Sequence, residues 1–163
     1  MALRNILQEG DPTLTQSCRE VTTFDDRLHT LIDDMWETLD LANGVGLAAP
    51  QVGVLRRVAI VLDYGSEYEG EEDAQGEKIE LINPCIVEQK GEETDREGCL
   101  SVPGVTGLVT RPLWVKIRAQ NRKGAWFEME GEGLLARIIC HELDHLEGRL
   151  YTGIAQKIEK LAQ

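Results

Sequence analysis

The stretch HELDH, residues 141–145, constrains the fold of this chain more than any other part of it. Two of the chain's three histidines lie there, four positions apart. Residues with that spacing share one face of an α-helix, so both rings can reach the same ion. Leu134 and Ile138 lie on the face of His141, which predicts that the rings point into an apolar interior. We therefore expect a buried metal-binding helix over residues 133–147.

The chemistry of this helix depends on a third metal ligand. Glu142 lies beside the ion, where the glutamate of H-E-x-x-H enzymes acts as general base on a metal-bound water. The alternative is an amphipathic helix that carries two histidines by chance. Tyr151 stands where metzincins have a third histidine, and Glu159 is too near for the ligand of thermolysin-like enzymes. The third ligand is therefore expected upstream.

Cys99, in the stretch EGCLSVPG, is the upstream candidate that we favour. It follows Gly98 and precedes a Pro-Gly turn, so an extended segment can present its thiol to a helix across a cleft. Taken alone, Cys99 is more often a buried structural thiol. Two histidines and one cysteine with an open fourth position form a catalytic metal arrangement. The other candidates are expected to pack or to lie on the surface; they are His29, Cys18, Cys85 and Cys140.

A third stretch, NGVGLAAPQVG at residues 43–53, combines small residues with one amide side chain, Gln51. Small residues let a substrate or an oxyanion approach the main chain, and a glutamine amide can donate to a developing negative charge. The alternative is a tight turn between a helix and a strand, and we prefer this alternative when the stretch is taken alone.

The remaining pattern predicts an α+β fold of mainly antiparallel strands packed around the histidine helix. An amphipathic helix is expected over residues 24–42, capped by Thr23 and ended at Asn43-Gly44. Pro84 indicates an edge or a bulge in its strand. Strands are expected at 57–62 and 78–87, with an acidic surface loop at 63–77 between them, and a hairpin joins strands at 113–119 and 125–130.

Composition narrows the class of protein further. With 163 residues and no linker or repeat, the chain is expected to be one catalytic domain, residues 1–163. A net charge of −12 argues against direct nucleic-acid binding. No apolar run suits a membrane helix, no secretory signal is evident, and the cysteines do not form a disulfide framework. We therefore expect a bacterial-type cytoplasmic protein.

Three of these stretches, GVGLAAPQ, EGCLS and HELDH, resemble in order and spacing the three motifs of the peptide deformylase family. The resemblance implies a metal-dependent hydrolase with an α+β fold. Its substrate is the N-terminal formylmethionine of newly made polypeptides, and its products are formate and a free amino terminus. The family's ion is typically ferrous iron, although zinc, nickel or cobalt can occupy the site.

The resemblance also implies a role for each matching residue. Cys99, His141 and His145 would bind the metal. Glu142 would act as general base and acid, while Gln51 and the backbone amide of Leu100 would stabilise the oxyanion. Gly46, together with Val45 and Gly98, would contact the substrate.

Two departures from the family pattern limit what is inferred about substrates and partners. Many members carry an arginine shortly after the second motif, where this chain has the run Gly-Val-Thr-Gly at residues 104–107. Residues 154–162 are the only segment after the histidine helix that could form a further helix, and its two lysines are few for docking on a ribosome. Only a transient ribosome contact is therefore expected.

Two other functions remain as alternatives. A zinc peptidase that cuts internal peptide bonds would need a wider cleft and a different third ligand. An inactive relative that only binds metal or peptide would be signalled by loss of Cys99, Glu142 or Gln51, and all three are present.

Overall fold

The computed structural model describes residues 2–65 and 76–161 of the chain. Within them lie two α-helices and eight strands, which confirm the α+β class. The helices are α1 (Asp26–Ala42) and α2 (Leu134–Leu146). The strands are β1 (Gly46–Ala48), β2 (Val58–Asp63), β3 (Glu77–Lys90), β4 (Glu93–Cys99), β5 (Val102–Arg111), β6 (Trp114–Gln120), β7 (Trp126–Glu132) and β8 (Lys157–Lys160). Short 3₁₀-helices span Pro12–Thr15, Ala49–Val52 and Tyr151–Gly153.

The larger sheet has five antiparallel strands in the order β1-β2-β3-β6-β7. Alternate residues of β6, namely Val115, Ile117 and Ala119, are fully buried, as their period of two predicts. They join Ile139 and Leu146 of α2 in one apolar cluster. The predicted hairpin of β6 and β7 is confirmed, and α2 packs on the inner face of this sheet.

The smaller sheet has three antiparallel strands in the order β4-β5-β8. Cys99 ends β4 and pairs with Val102 at the start of β5, so only a tight turn separates the two strands. The position of the turn places the Cys99 thiol at the end of the sheet that faces α2. The histidine helix therefore lies between the two sheets.

Helix α1 begins later than the sequence predicts. Its N-cap is Asp25, whose side chain accepts a hydrogen bond from the Leu28 amide, whereas Thr23 was expected to cap it. Asp25 competes successfully because aspartate is as good a cap as threonine and stands directly before the apolar stripe. The helix ends as predicted, with Asn43 in the left-handed conformation at φ 54°.

Pro84 marks a bulge in a central strand. Strand β3 lies between β2 and β6, and its pairing with β6 shifts register between Ile82 and Cys85. The bulge accommodates a residue without an N–H group.

The predicted acidic loop starts and ends inside strands, since Asp63 of β2 pairs with Glu77 of β3. Residues 66–75 of that loop lie outside the described residues.

Residues 154–162, the only segment after the histidine helix that could form a further helix, contain a strand in the part that the structure describes. Residues 157–160 form β8, which adds to β5 with Thr106 opposite Glu159. The open edge of β5 offers hydrogen bonds that a short helix with few apolar residues could not replace. No helix in the described part of the chain is long and apolar enough to cross a membrane.

Candidate metal centre

The three predicted ligands converge from two elements. Cys99 comes from the end of β4, while His141 and His145 come from successive turns of α2. Their potential ligand atoms all lie within 4.8 Å of one another, and Cys99 Sγ is 3.4 Å from His145 Nε2. No other group of three or more histidine, cysteine or acidic side chains in residues 2–65 and 76–161 is arranged in this way.

The chemistry of these side chains fits a divalent metal ion. His141 and His145 are 9% and 1% exposed. Burial lowers the pKa of His145 to about 3, so that its ring is neutral and keeps a lone pair for a metal. Two buried polar atoms, Glu142 Oε1 and His145 Nδ1, have no hydrogen-bond partner among the described residues. A thiolate with two imidazoles suits several transition metals.

His141 is oriented by Glu97 of β4. Its Nδ1 lies 2.8 Å from Glu97 Oε1. Burial would raise the pKa of Glu97, but hydrogen bonds with Arg111 and His141 outweigh this effect and lower the pKa to about 2. The ionised carboxylate can only accept, so Nδ1 carries the proton and Nε2 remains for a metal.

Glu97 is itself held by two buried arginines. Arg111 of β5 donates to both carboxylate oxygens, from Nε at 2.7 Å and from Nη2 at 2.9 Å. Arg137 of α2 donates from Nη1 to Glu97 Oε2 at 2.7 Å. Arg111 also bonds Asp144 of α2 at 2.6 Å. We call these four residues the Glu97 network; it ties the small sheet to the face of α2 that carries His141.

Glu142 is 4% exposed and lies against Gly46 of β1. A Cβ atom at position 46 would be 2.5 Å from Glu142 Oε2, so any other residue there would displace the carboxylate. Burial raises the pKa of Glu142 to about 7. A carboxyl group with such a pKa can both accept and donate a proton near neutral pH.

The Gln51 amide is held with its nitrogen towards the ligands. Its oxygen accepts a hydrogen bond from the Ala48 amide at 2.9 Å. Its nitrogen donates to Ser101 Oγ at 3.1 Å and lies 3.6 Å from Cys99 Sγ. Gln51 is therefore a hydrogen-bond donor held in place beside Cys99.

A cavity of about 380 Å³ opens over these groups. Its lining includes His141, Glu142, Gln51 and Cys99. Four of the five remaining predicted site residues also line it, namely Val45, Gly46, Gly98 and Leu100, whereas His145 lies behind the lining. The other candidate ligands are elsewhere: Cys85 is exposed, and His29 Nε2 lies 2.8 Å from the Arg122 carbonyl.

The Glu97 network and Ser101 are not among the site residues that the sequence predicts. Arg137 lies four residues before His141, which places a charge on the inward face of a helix that otherwise carries apolar residues there. A buried charge needs a partner of opposite charge, so the position of Arg137 in the sequence indicates a buried acidic residue near His141. Nothing local to Arg111 indicates that it is only 5% exposed.

Comparison with known proteins agrees with this geometry. The family model for polypeptide deformylase matches residues 3–161. The chain is 55% identical over 159 residues to a peptide deformylase of Agathobacter rectalis, covering 98% of this chain and 92% of that protein. It is 52% identical over 152 residues to a peptide deformylase of Acetivibrio thermocellus, covering 93% of this chain and 83% of that protein.

Solved structures show the same fold. A peptide deformylase from Legionella pneumophila superposes with a TM-score of 0.84 at 42% identity, covering 94% of this chain and 86% of that one. One from Thermotoga maritima gives a TM-score of 0.85 at 36% identity, covering 95% and 99%. The family match spans nearly the whole described chain and includes all three motifs, so this chain belongs to the polypeptide deformylase family.

Proposed function

We propose that this deformylase holds one divalent metal ion, ferrous iron, with Cys99, His141 and His145. With that ion it removes the N-formyl group from the formylmethionine that begins newly made polypeptides, and it releases formate. The observation that carries the proposal is the convergence of one cysteine and two histidine ligand atoms within 4.8 Å. When bound, the ion supplies Lewis acidity, which makes a water more acidic and polarises a carbonyl.

Glu142 moves the proton in this reaction. As a water attacks the formyl carbon, the carboxylate accepts a proton from it. When the C–N bond breaks, Glu142 returns that proton to the departing amine nitrogen. The burial of Glu142 and its pKa of about 7 support both roles in one cycle.

Gln51 and the backbone N–H of Leu100 stabilise the oxyanion that forms on the formyl oxygen. The Gln51 amide cannot turn round freely, because the Ala48 amide holds its oxygen and Ser101 holds its nitrogen. Such a donor is oriented before substrate arrives and costs little reorganisation during the reaction.

The substrate backbone lies along the glycine-rich wall of the cavity. Val45, Gly46 and Gly98 line this wall, and the glycines leave main-chain groups accessible. The methionine side chain occupies the apolar part of the cavity, where Ile138 lines the wall. Thr106, from the run that replaces the family's usual arginine, also lines the cavity and supplies no charge.

Ferrous iron is proposed over zinc, nickel and cobalt because the family resemblance favours it, while the thiolate–imidazole donor set suits all four. We also propose that residues 1–163 form one catalytic domain that works in the bacterial cytoplasm with a transient ribosome contact. Four free cysteines support a reducing compartment. The charge of −12 supports the absence of direct nucleic-acid binding.

The test is formate release from a formyl-Met tripeptide by protein purified without oxygen and loaded with ferrous iron. Cys99→Ser and Glu142→Ala serve as the inactive controls. Release by the wild type and its loss in both variants support the proposed roles. Metal-loaded wild type that releases no formate would instead indicate a protein that only binds metal or peptide.

A further inference from the structure

Strand β8 brings a leucine to the cavity of the metal site. Its residues pair with β5 from Val105↔Lys160 to Leu108↔Lys157. Directly after the strand, the Leu161 amide donates to the Gly104 carbonyl at 2.9 Å. Leu161 lines the same cavity as His141 and Glu142 although it lies 20 residues beyond His141 in the chain. The small sheet therefore supplies a wall residue that none of the three motifs contains.

The position of Leu161 is fixed by several contacts of its strand. Arg96 of β4 forms an ion pair with Glu159 of β8 at 2.9 Å, and Arg96 also lines the cavity. The Gln156 amide donates to the Leu108 carbonyl at 2.8 Å just before the strand begins. These contacts connect β4, β5 and β8, and they hold the backbone at Leu161 in position at the cavity wall.

Leu161 belongs to the rim of the cavity. It is 53% exposed, and Leu134, another lining residue, is 58% exposed. By contrast, Glu142, which moves the proton, and the metal ligand His141 are almost fully buried. When the formyl group of a bound peptide reaches these buried groups, the second and third residues of the peptide lie at the rim. When an apolar side chain of the bound peptide covers this rim, apolar surface of both is removed from water, which makes binding more favourable.

We propose that Leu161 is a specificity-determining residue that favours an apolar side chain at the second or third residue of the substrate, after formylmethionine. This assignment rests on the proposed function of the same site. Leu161 contacts a part of the peptide that does not react, so it contributes equally to the ground state and the transition state. Its removal therefore raises KM and leaves kcat unchanged.

The experiment compares three formylated tripeptides: formyl-Met-Leu-Ser, formyl-Met-Ser-Leu and formyl-Met-Ser-Ser. Wild type should prefer leucine over serine at one of the two positions. Leu161→Ala should lower kcat/KM for the preferred peptide about threefold to tenfold through KM, with formyl-Met-Ser-Ser unchanged. Ile158→Ala is the matched control, since Ile158 is a 48% exposed residue of the same strand that does not line the cavity.

A charged variant sharpens the test. Leu161→Glu should lose the preference for leucine and should prefer a fourth peptide in which lysine replaces the preferred leucine. The assignment is overturned if Leu161→Ala changes all three peptides equally, if Ile158→Ala has the same selective effect, or if no variant alters the preference. Wild type that releases formate from none of the peptides overturns the proposed function and this assignment with it. Normal release with an unaltered preference overturns this assignment alone.

Discussion

The two sheets of this protein are attached to the histidine helix by different forces. The five-stranded sheet and α2 share one cluster of buried apolar side chains, which includes the fully buried Ile117 of β6 and Ile139 of α2. Among the described residues, the apolar cluster at the three-stranded sheet has three buried members, which are Val102 and Val109 of β5 and Tyr151 of the last 3₁₀-helix. It reaches α2 through the Glu97 network instead. Apolar packing stabilises the helix on one side, and directional ionic contacts orient it on the other.

This difference separates stability from chemistry. A buried ion-pair network adds little net stability, because desolvation offsets most of its attraction. Its hydrogen bonds nevertheless fix angles and distances that apolar contacts leave adjustable. The small sheet carries Cys99, and the network determines how Cys99 and His141 face each other. A substitution in the small sheet should therefore change metal binding, whereas one in the core of the large sheet should change only the free energy of unfolding.

The largest effect is expected at Glu142, which lies where α2 meets the cavity. Glu142→Gln keeps the shape of the side chain but removes the proton acceptor, so kcat should fall about 10²- to 10⁴-fold. The measurement is formate release at saturating substrate with metal content determined in parallel. Glu147→Gln, an exposed glutamate just beyond the same helix, should leave kcat unchanged. A Glu142→Gln variant within tenfold of wild type would remove the proton-transfer role.

The next effect is expected at the small sheet. Glu97→Gln leaves Arg111 and Arg137 without their buried counter-charge and weakens the orientation of His141. Metal affinity should fall about 10- to 100-fold. The free energy of unfolding should fall by about 3–5 kcal/mol. Chelator competition measures the first quantity and denaturant titration the second.

Glu92→Gln, an exposed residue that immediately precedes β4, is the matched control for Glu97→Gln and should change neither quantity. Wild-type metal affinity in Glu97→Gln would mean that His141 needs no support from the small sheet. The comparison between the two sheets would then fail.

A change in the core of the large sheet should also lower stability, but it should leave the metal site unchanged. Ile117→Ala leaves a cavity in the apolar layer under α2 and should cost about 2–5 kcal/mol of unfolding free energy. The kcat/KM of the folded fraction should stay within about twofold, because no ligand or proton donor is displaced. Lys116→Ala, on the other face of β6, should be nearly neutral. A selective loss of metal affinity in Ile117→Ala would contradict the division between the sheets.

A smaller, pH-dependent effect is expected at Glu80 of β3, far from the metal site. Burial alone would raise the pKa of Glu80, but hydrogen bonds from Arg122 and Trp36 outweigh it and lower the pKa below 4.5. The stabilisation is therefore complete above the unfolded-state pKa and is lost as the pH falls through the folded-state pKa. Glu80→Gln should cost about 1 kcal/mol at pH 7.

The test of this effect is a series of denaturant titrations at decreasing pH. The difference between wild type and Glu80→Gln should shrink as the pH falls below 4.5. A difference that stays constant with pH would show that the ionised form is not the stabilising one.

The two sheets also differ in how well sequence predicts them. Strands β2, β6 and β7 carry apolar runs or strict alternation, and these patterns are local. Strands β4 and β8 are mostly polar and owe their structure to pairing with β5, which no local pattern indicates. For this reason the sequence predicted no strand over residues 157–160. The chemistry of the site was easier to predict, because ligand residues are rare and their spacing is restrictive.

The supporting residues of the site could not be predicted in the same way. Glu97 and Arg111 pair across β4 and β5, and Asp144 is reached only once α2 packs against them. Tertiary contacts decide which of these side chains pair. Glu97 and Arg137, for example, lie 40 positions apart in the chain. A sequence offers many arginines and acids, and burial is what distinguishes these few.

The most direct test of the central claim asks whether the small sheet and α2 share one metal ion. Wild-type protein loaded with cobalt should show a thiolate-to-metal charge-transfer band in its absorption spectrum. The band should disappear in Cys99→Ala and persist in Cys18→Ala, Cys85→Ala and Cys140→Ala. An unchanged band in Cys99→Ala, or its loss in one of the other three variants, would contradict the proposed metal centre.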